Sequence, residues 1–181
     1  MKRSTKIILA SLIMVLIASI GFNIHSAYIN NRQRISVMSI IFSYAHSAML
    51  NADHSRHATP ILHESTGIAV GIMLLQIDTV IRSDFNILRN QDGSAAFHSA
   101  IATIGGQIIM EPVLENRIAM LDKILPHLQS LVLEMSINDD IEFPVMNTRL
   151  SYAEFIAILS RFAVDIRLEF ANYNGDTQKP A

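Results

Sequence analysis

The stretch Leu114–Met135, LENRIAMLDKILPHLQSLVLEM, has the clearest periodicity in the chain. Leu114, Ile118, Leu121, Leu125, Leu128, Val132 and Met135 recur in alternating steps of four and three, the spacing that lines one side of an α-helix. Glu115, Arg117, Asp122 and Lys123 fall on the other faces, so the stretch reads as a bundle helix with one buried seam. Pro126 lies inside it and has no N–H to donate, which predicts a kink near Asp122–Pro126 or a break there.

On the C-terminal side, residues 138–147, with Asp139, Asp140 and Pro144, read as a loop. Ser151-Tyr-Ala-Glu154 has the form of a capping box and opens a last helix whose inner face is Phe155, Leu159, Phe162, Ile166 and Phe170. Asn174-Gly175 ends it, and 175–181 is expected to be a disordered tail.

On the N-terminal side, Gly105-Gly106 is expected to interrupt a short helix capped by Ser94, after a turn at Asn90–Gly93. Thr59-Pro60 begins a longer helix that runs to about Arg89, with Thr as N-cap and Pro where its missing N–H is harmless. The middle of that helix, Ile68–Ile77, is apolar on nearly all sides, and Gly67 and Gly71 would let another helix approach closely. A second membrane span is one reading. His63, Glu64, Gln76 and Asp78 instead limit the apolar stretch to the length of a buried core helix, which is the reading adopted. Tyr28, Ile35, Met38, Phe42, Ala45, Met49 and Ala52 form one more helical seam.

No convincing period-two strand appears, so the expected fold is all-α. Residues 27–174 are read as an up-down, four-helix-bundle-like domain with its longest connection before the last helix.

Ahead of this domain, Ile7–Phe22 carries no charge and follows Lys2, Arg3 and Lys6, the layout shared by signal peptides and signal anchors. The run alone spans about 24 Å, and extension past Asn23, His25 and Ser26 to Tyr28-Ile29 brings it to the thickness of a bilayer. Small residues suited to cleavage are poorly placed: Ser19 and Gly21 are the best pair, and His25 spoils Ser26-Ala27. Residues 1–26 are therefore read as an uncleaved transmembrane signal anchor, with a removed signal peptide as the alternative. Lys2, Arg3 and Lys6 outweigh Arg32 and Arg34, which keeps the N-terminus in the cytoplasm and exports the domain.

Three of the 14 Lys and Arg residues precede the apolar run and all 16 Asp and Glu follow it, so the exported part is mildly acidic. It lacks the clustered basic face that nucleic-acid binding requires, and DNA and RNA are excluded as partners. The absence of cysteine excludes disulfides, thiolate metal sites and a cysteine nucleophile. Together with the absence of any Asn-x-Ser/Thr sequon, it favours a bacterial periplasm, and hence a single-pass inner-membrane protein.

Two constellations could carry chemistry. Among the seven histidines, His46, His54, His57 and His63 gather with Asp53 and Glu64 around the Thr59-Pro60 corner. Asp53, His54, His57, His63 and Glu64 form a candidate site for a divalent transition metal such as Zn, Cu or Ni. The ordinary reading of the same residues is a solvated polar corner between helices, and no cofactor is required. The second constellation is Arg82 and Arg89, seven residues apart on one helix face, a candidate clamp for an anion or small acid. No nucleophile with a base, phosphate-binding glycine loop or paired carboxylates stands out, so a non-enzymatic role is expected.

The sequence thus predicts a membrane-anchored periplasmic helical module of sensor-input or inhibitor/immunity type. It would recognise an envelope protein, a second copy of itself or a small ligand. Metal binding or sensing through the histidine corner is the alternative.

Overall fold

The computed structural model describes residues 3–57, 60–83 and 92–176. Within them are five helices: α1 (Arg3–His57), α2 (Pro60–Ser83), α3 (Asp92–Met110), α4 (Leu114–Glu134) and α5 (Tyr152–Asp176). No strand occurs among the described residues beyond an isolated antiparallel bridge between Ser136 and Met146, so the all-α expectation holds. The chain divides into two compact units, Met1–Ser36 and Val37–Ala181.

The first unit is the N-terminal part of α1. Met14, Val15, Leu16, Ile17, Ile20, Phe22 and Ile24 are each at least half exposed, with apolar side chains on all sides and no stripe that could serve as a core face. Arg32 lies 5.5 Å above the Tyr28 ring.

The second unit is built on helical seams. Met38, Phe42, Ala45, Met49 and Ala52 of α1 are buried as their spacing predicts, and Val37, Ile41 and Ala48 widen the stripe. In α4 the seam is buried from Leu121 to Met135, joined by Met120, Ile124 and Leu131, while Leu114 and Ile118 at its start are half-buried. All five expected inner residues of α5 are buried. Each large aliphatic or aromatic side chain so enclosed contributes about 1.5–3 kcal/mol, which makes this shared core the main source of stability.

Three expectations are revised. α3 is not broken at Gly105-Gly106 but runs unbroken to Met110, and it lies against both α2 and α5. Of the two outcomes expected at Pro126, a kink or a break, the break is ruled out: α4 runs through the proline, which is on the exposed side, where the loss of one backbone hydrogen bond is cushioned by water. Arg117, expected on an outer face, is buried.

The glycines explain the placement of α3. A Cβ on Gly71 would stand 2.9 Å from the carbonyl oxygen of Gly105, and one on Gly105 would stand 3.0 Å from that of Gly71. Helices α2 and α3 therefore meet backbone to backbone, an approach that only residues without side chains allow. The apolar middle of α2 is accounted for in the same way: Val70, Leu74, Ile77 and Ile81 are core residues.

Candidate functional site

The corner between α1 and α2 holds the five candidate metal ligands. Asp53 is half-buried on α1, and His54 and His57 are exposed in its last turn. There, together with Arg56, they suit the negative end of the helix dipole whether or not a ligand is present. On α2, Glu64 is exposed and His63 is half-buried, with its Nδ1 buried and without a hydrogen-bond partner. Among the described residues no three His, Asp or Glu side chains converge where a metal ion would sit. The corner is tied to α4 by Arg56, whose Nε donates to Asp122 Oδ1 at 2.7 Å. Both partners are more than two-fifths exposed, so this pair adds less than about 1 kcal/mol.

His46 does not join this corner. Its ring stacks on Phe42, with centroids 6.4 Å apart, and the backbone of Ile141 in the α4–α5 connection lies within hydrogen-bonding reach. Burial holds the imidazole below its ordinary pKa, opposed by the Ile141 backbone, and Nε2 is buried without a partner.

Of the candidate arginine clamp only Arg82 is among the described residues. Arg82 Nε donates to Asp78 Oδ2 at 3.0 Å, one turn back on the same helix, while Arg89 lies outside the described residues.

Arg117 is the polar group that spacing alone misassigns. Its Nε donates to the Ile108 carbonyl at 3.0 Å and its Nη2 to the Glu111 carbonyl, so a cation closes the C-terminal end of α3. Its aliphatic stem fits over Gly67, where a Cβ would come within 2.7 Å of Arg117 Cδ. The Gly67–Gly71 spacing was the available signal for a close approach, but not for which side chain would use it.

Between α4 and α5 a shallow cleft of about 40 Å3 is lined by His127, Ser130, Glu134 and Asp165 over Leu131, Ile158 and Phe162. That is far below the roughly 300–1,000 Å3 of small-molecule sites. Ser130 donates to Glu134 Oε1 at 3.2 Å, and Glu134 accepts from Arg161 at 2.8 Å.

The α4–α5 connection carries three exposed large apolar side chains. Ile137, Phe143 and Val145 are 63%, 74% and 51% exposed, while Ile141 and Met146 pack against the core. In the first unit, the exposed apolar stretch from Met14 to Ile29 is the corresponding feature. Two helical segments, within Met14–His57 and Leu62–Arg82, are long and apolar enough to cross a membrane, and the second supplies core residues. Comparison with protein-family models, curated proteins and solved structures finds no match to this chain.

Proposed function

We propose that this protein is a membrane-anchored helical binding module, held by the apolar part of α1 and displaying its helical domain in a bacterial periplasm. There it recognises an envelope protein or a small ligand without catalysing a reaction. One observation carries the reading: large apolar side chains from Met14 to Ile29 are exposed in one unit, while most of those of the other are collected into a core. Water penalises such an all-round apolar helix and a hydrocarbon layer does not. The cations Lys2, Arg3 and Lys6 support an N-in orientation, and a four-helix-bundle-like packing of the exported domain agrees with its seams.

The test is alkaline extraction of membranes containing the full chain, followed by crosslinking in situ. Retention in the membrane and capture of one stoichiometric envelope protein are expected. Release as a soluble species beginning near Phe22 would replace the anchored module with a free periplasmic one, and capture of no protein would shift the reading to a small ligand.

Metal binding at the α1–α2 corner is the second reading, favoured by the unpartnered, buried Nδ1 of His63. Asp53, His54, His57, His63 and Glu64 supply imidazole and carboxylate donors of the type that hold Zn, Cu or Ni. A rise in melting temperature with one of these ions, lost on substituting His54 and His57 by Ala, is the expected result. A melting temperature insensitive to all three ions removes this reading.

A further inference from the structure

The α4–α5 connection is closed by hydrogen bonds of its own. Ile137 N–H donates to the Val145 carbonyl at 2.8 Å and Asn147 N–H to the Met135 carbonyl at 2.8 Å, on either side of the Ser136–Met146 bridge. Asn138 works in both directions: its Nδ2 donates to the Phe143 carbonyl at 3.0 Å and its Oδ1 accepts from Val145 N–H at 2.8 Å. Asp140 Oδ1 accepts from the N–H groups of Glu142 and Phe143, at 3.0 and 3.1 Å. Two short polar side chains thus replace the ladder that so short a hairpin cannot supply.

This scaffold turns Ile141 and Met146 inward and leaves Ile137, Phe143 and Val145 exposed, with Ile137 and Val145 joined through their backbones and Phe143 tied to the same turn through Asn138. A connection serving only to join two helices gains nothing from holding three large apolar side chains in water. Because the loop is ordered beforehand, a partner would meet the aromatic anchor without bearing much of its ordering entropy. Asp139 and Glu142 flank the tip, exposed and without an ion pair to any described residue.

Building on the binding-module reading, we propose that this tip docks into a protein partner that offers an apolar pocket rimmed by Lys or Arg. The acidic flanks select that partner by charge complementarity. They disfavour an anionic lipid surface. They also disfavour a second copy, because a two-fold contact would set Asp139 and Glu142 against themselves.

The chain contains no tryptophan, so Phe143→Trp places a single fluorophore at the tip. The full chain carrying it, in phosphatidylcholine nanodiscs, is titrated with two synthetic peptides of one apolar core, flanked by Lys or by Glu. A saturable blue shift with the Lys-flanked peptide, at least about tenfold tighter than with the Glu-flanked one, is expected. That preference should disappear when Asp139→Asn and Glu142→Gln are combined, which leaves the turn-forming Asp140 in place. Equal responses to the two peptides, or none, overturn the proposal. So does emission already blue before titration, if it is quenched by brominated lipid or reverts on dilution, which would reveal lipid or a second copy as the occupant. If a partner crosslinked in membranes is captured equally by a chain bearing Phe143→Ser with both charge substitutions, the binding module stands and this tip is not its interface.

Discussion

Gly71 and Gly105 face each other so closely that a Cβ on Gly71 would lie 2.9 Å from the Gly105 carbonyl oxygen and 2.6 Å from Ile109 Cγ1. Gly106, the next residue along α3, has nothing within 4 Å of its own virtual Cβ. Gly71 of α2 and Gly106 of α3 should therefore respond to substitution in opposite directions. Gly71→Ala gains helix propensity but overpacks a backbone contact, for a net loss of about 1–2 kcal/mol. Gly106→Ala keeps only the propensity gain, about 0.5–1 kcal/mol. Thermal melts of the full chain followed by circular dichroism should show the first variant lowered and the second raised, by about 2–4 °C per kcal/mol.

Arg117→Met retains much of the aliphatic stem over Gly67 but removes the donors to the Ile108 and Glu111 carbonyls. A loss of about 1–3 kcal/mol is expected. Lys in its place should recover only part of this, because one ammonium cannot reproduce the planar fork. Urea midpoints of the three proteins provide the comparison.

Ser151 and Glu154 form the reciprocal cap of α5: Glu154 N–H donates to Ser151 Oγ at 3.2 Å and Ser151 N–H to Glu154 Oε2 at 2.7 Å. Ser151→Ala should cost about 0.5–2 kcal/mol. Hydrogen bonds from the Ser151 side chain, and then its backbone, hold the Glu154 carboxyl below its ordinary value of 4.5. Its contribution is therefore present above pH 4.5 and lost as the pH falls through the lowered folded value. Glu154→Gln should flatten that part of the stability–pH curve, measured by melts between pH 3 and 6 at roughly half-unit steps.

His46 has the opposite charge type and the same direction of shift. Its folded state binds a proton less readily than the unfolded chain, so stability is complete above about pH 6.5 and declines as the pH falls through 6.5 toward the lowered folded value. Substituting His46 by Gln should remove this decline. An unchanged slope in that window would mean that the ring is not held as found against Phe42 and Ile141.

In the apolar part of α1, Leu16→Arg places a charge at the centre of the proposed span, at a cost of about 2.5–3.5 kcal/mol for insertion. The variant should shift from the membrane pellet to the soluble or degraded fraction on alkaline extraction. The same substitution at the exposed Ile72 of α2 should leave fractionation unchanged, since α2 is read as a core helix.

Much of the helical architecture is local in origin, and this is why it was legible. The seams of α4 and α5, the Ser151–Glu154 box, the start of α2 at Pro60 and the apolar run of α1 depend on residues three or four apart, whose relation a helix determines by itself. Contacts between distant segments were not legible in this way. Gly105 reads as a helix breaker until Gly71 stands opposite it, and Arg117 reads as surface until the end of α3 and Gly67 enclose it. The candidate sites follow the same division: composition collected His46 with the corner histidines, whereas packing assigned it to the α4–α5 connection, and Arg82 was engaged by Asp78 on its own helix. Only the fold could bring Ile137, Phe143 and Val145 together on one tip, because their grouping depends on a chain reversal that no helical period encodes. Sequence alone therefore determined most of the helical segments and the stretch of α1 that is apolar on every side. Tertiary structure decided which glycines touch, which charge is buried and which apolar side chains remain outside the core, because each depends on neighbours far away in the chain.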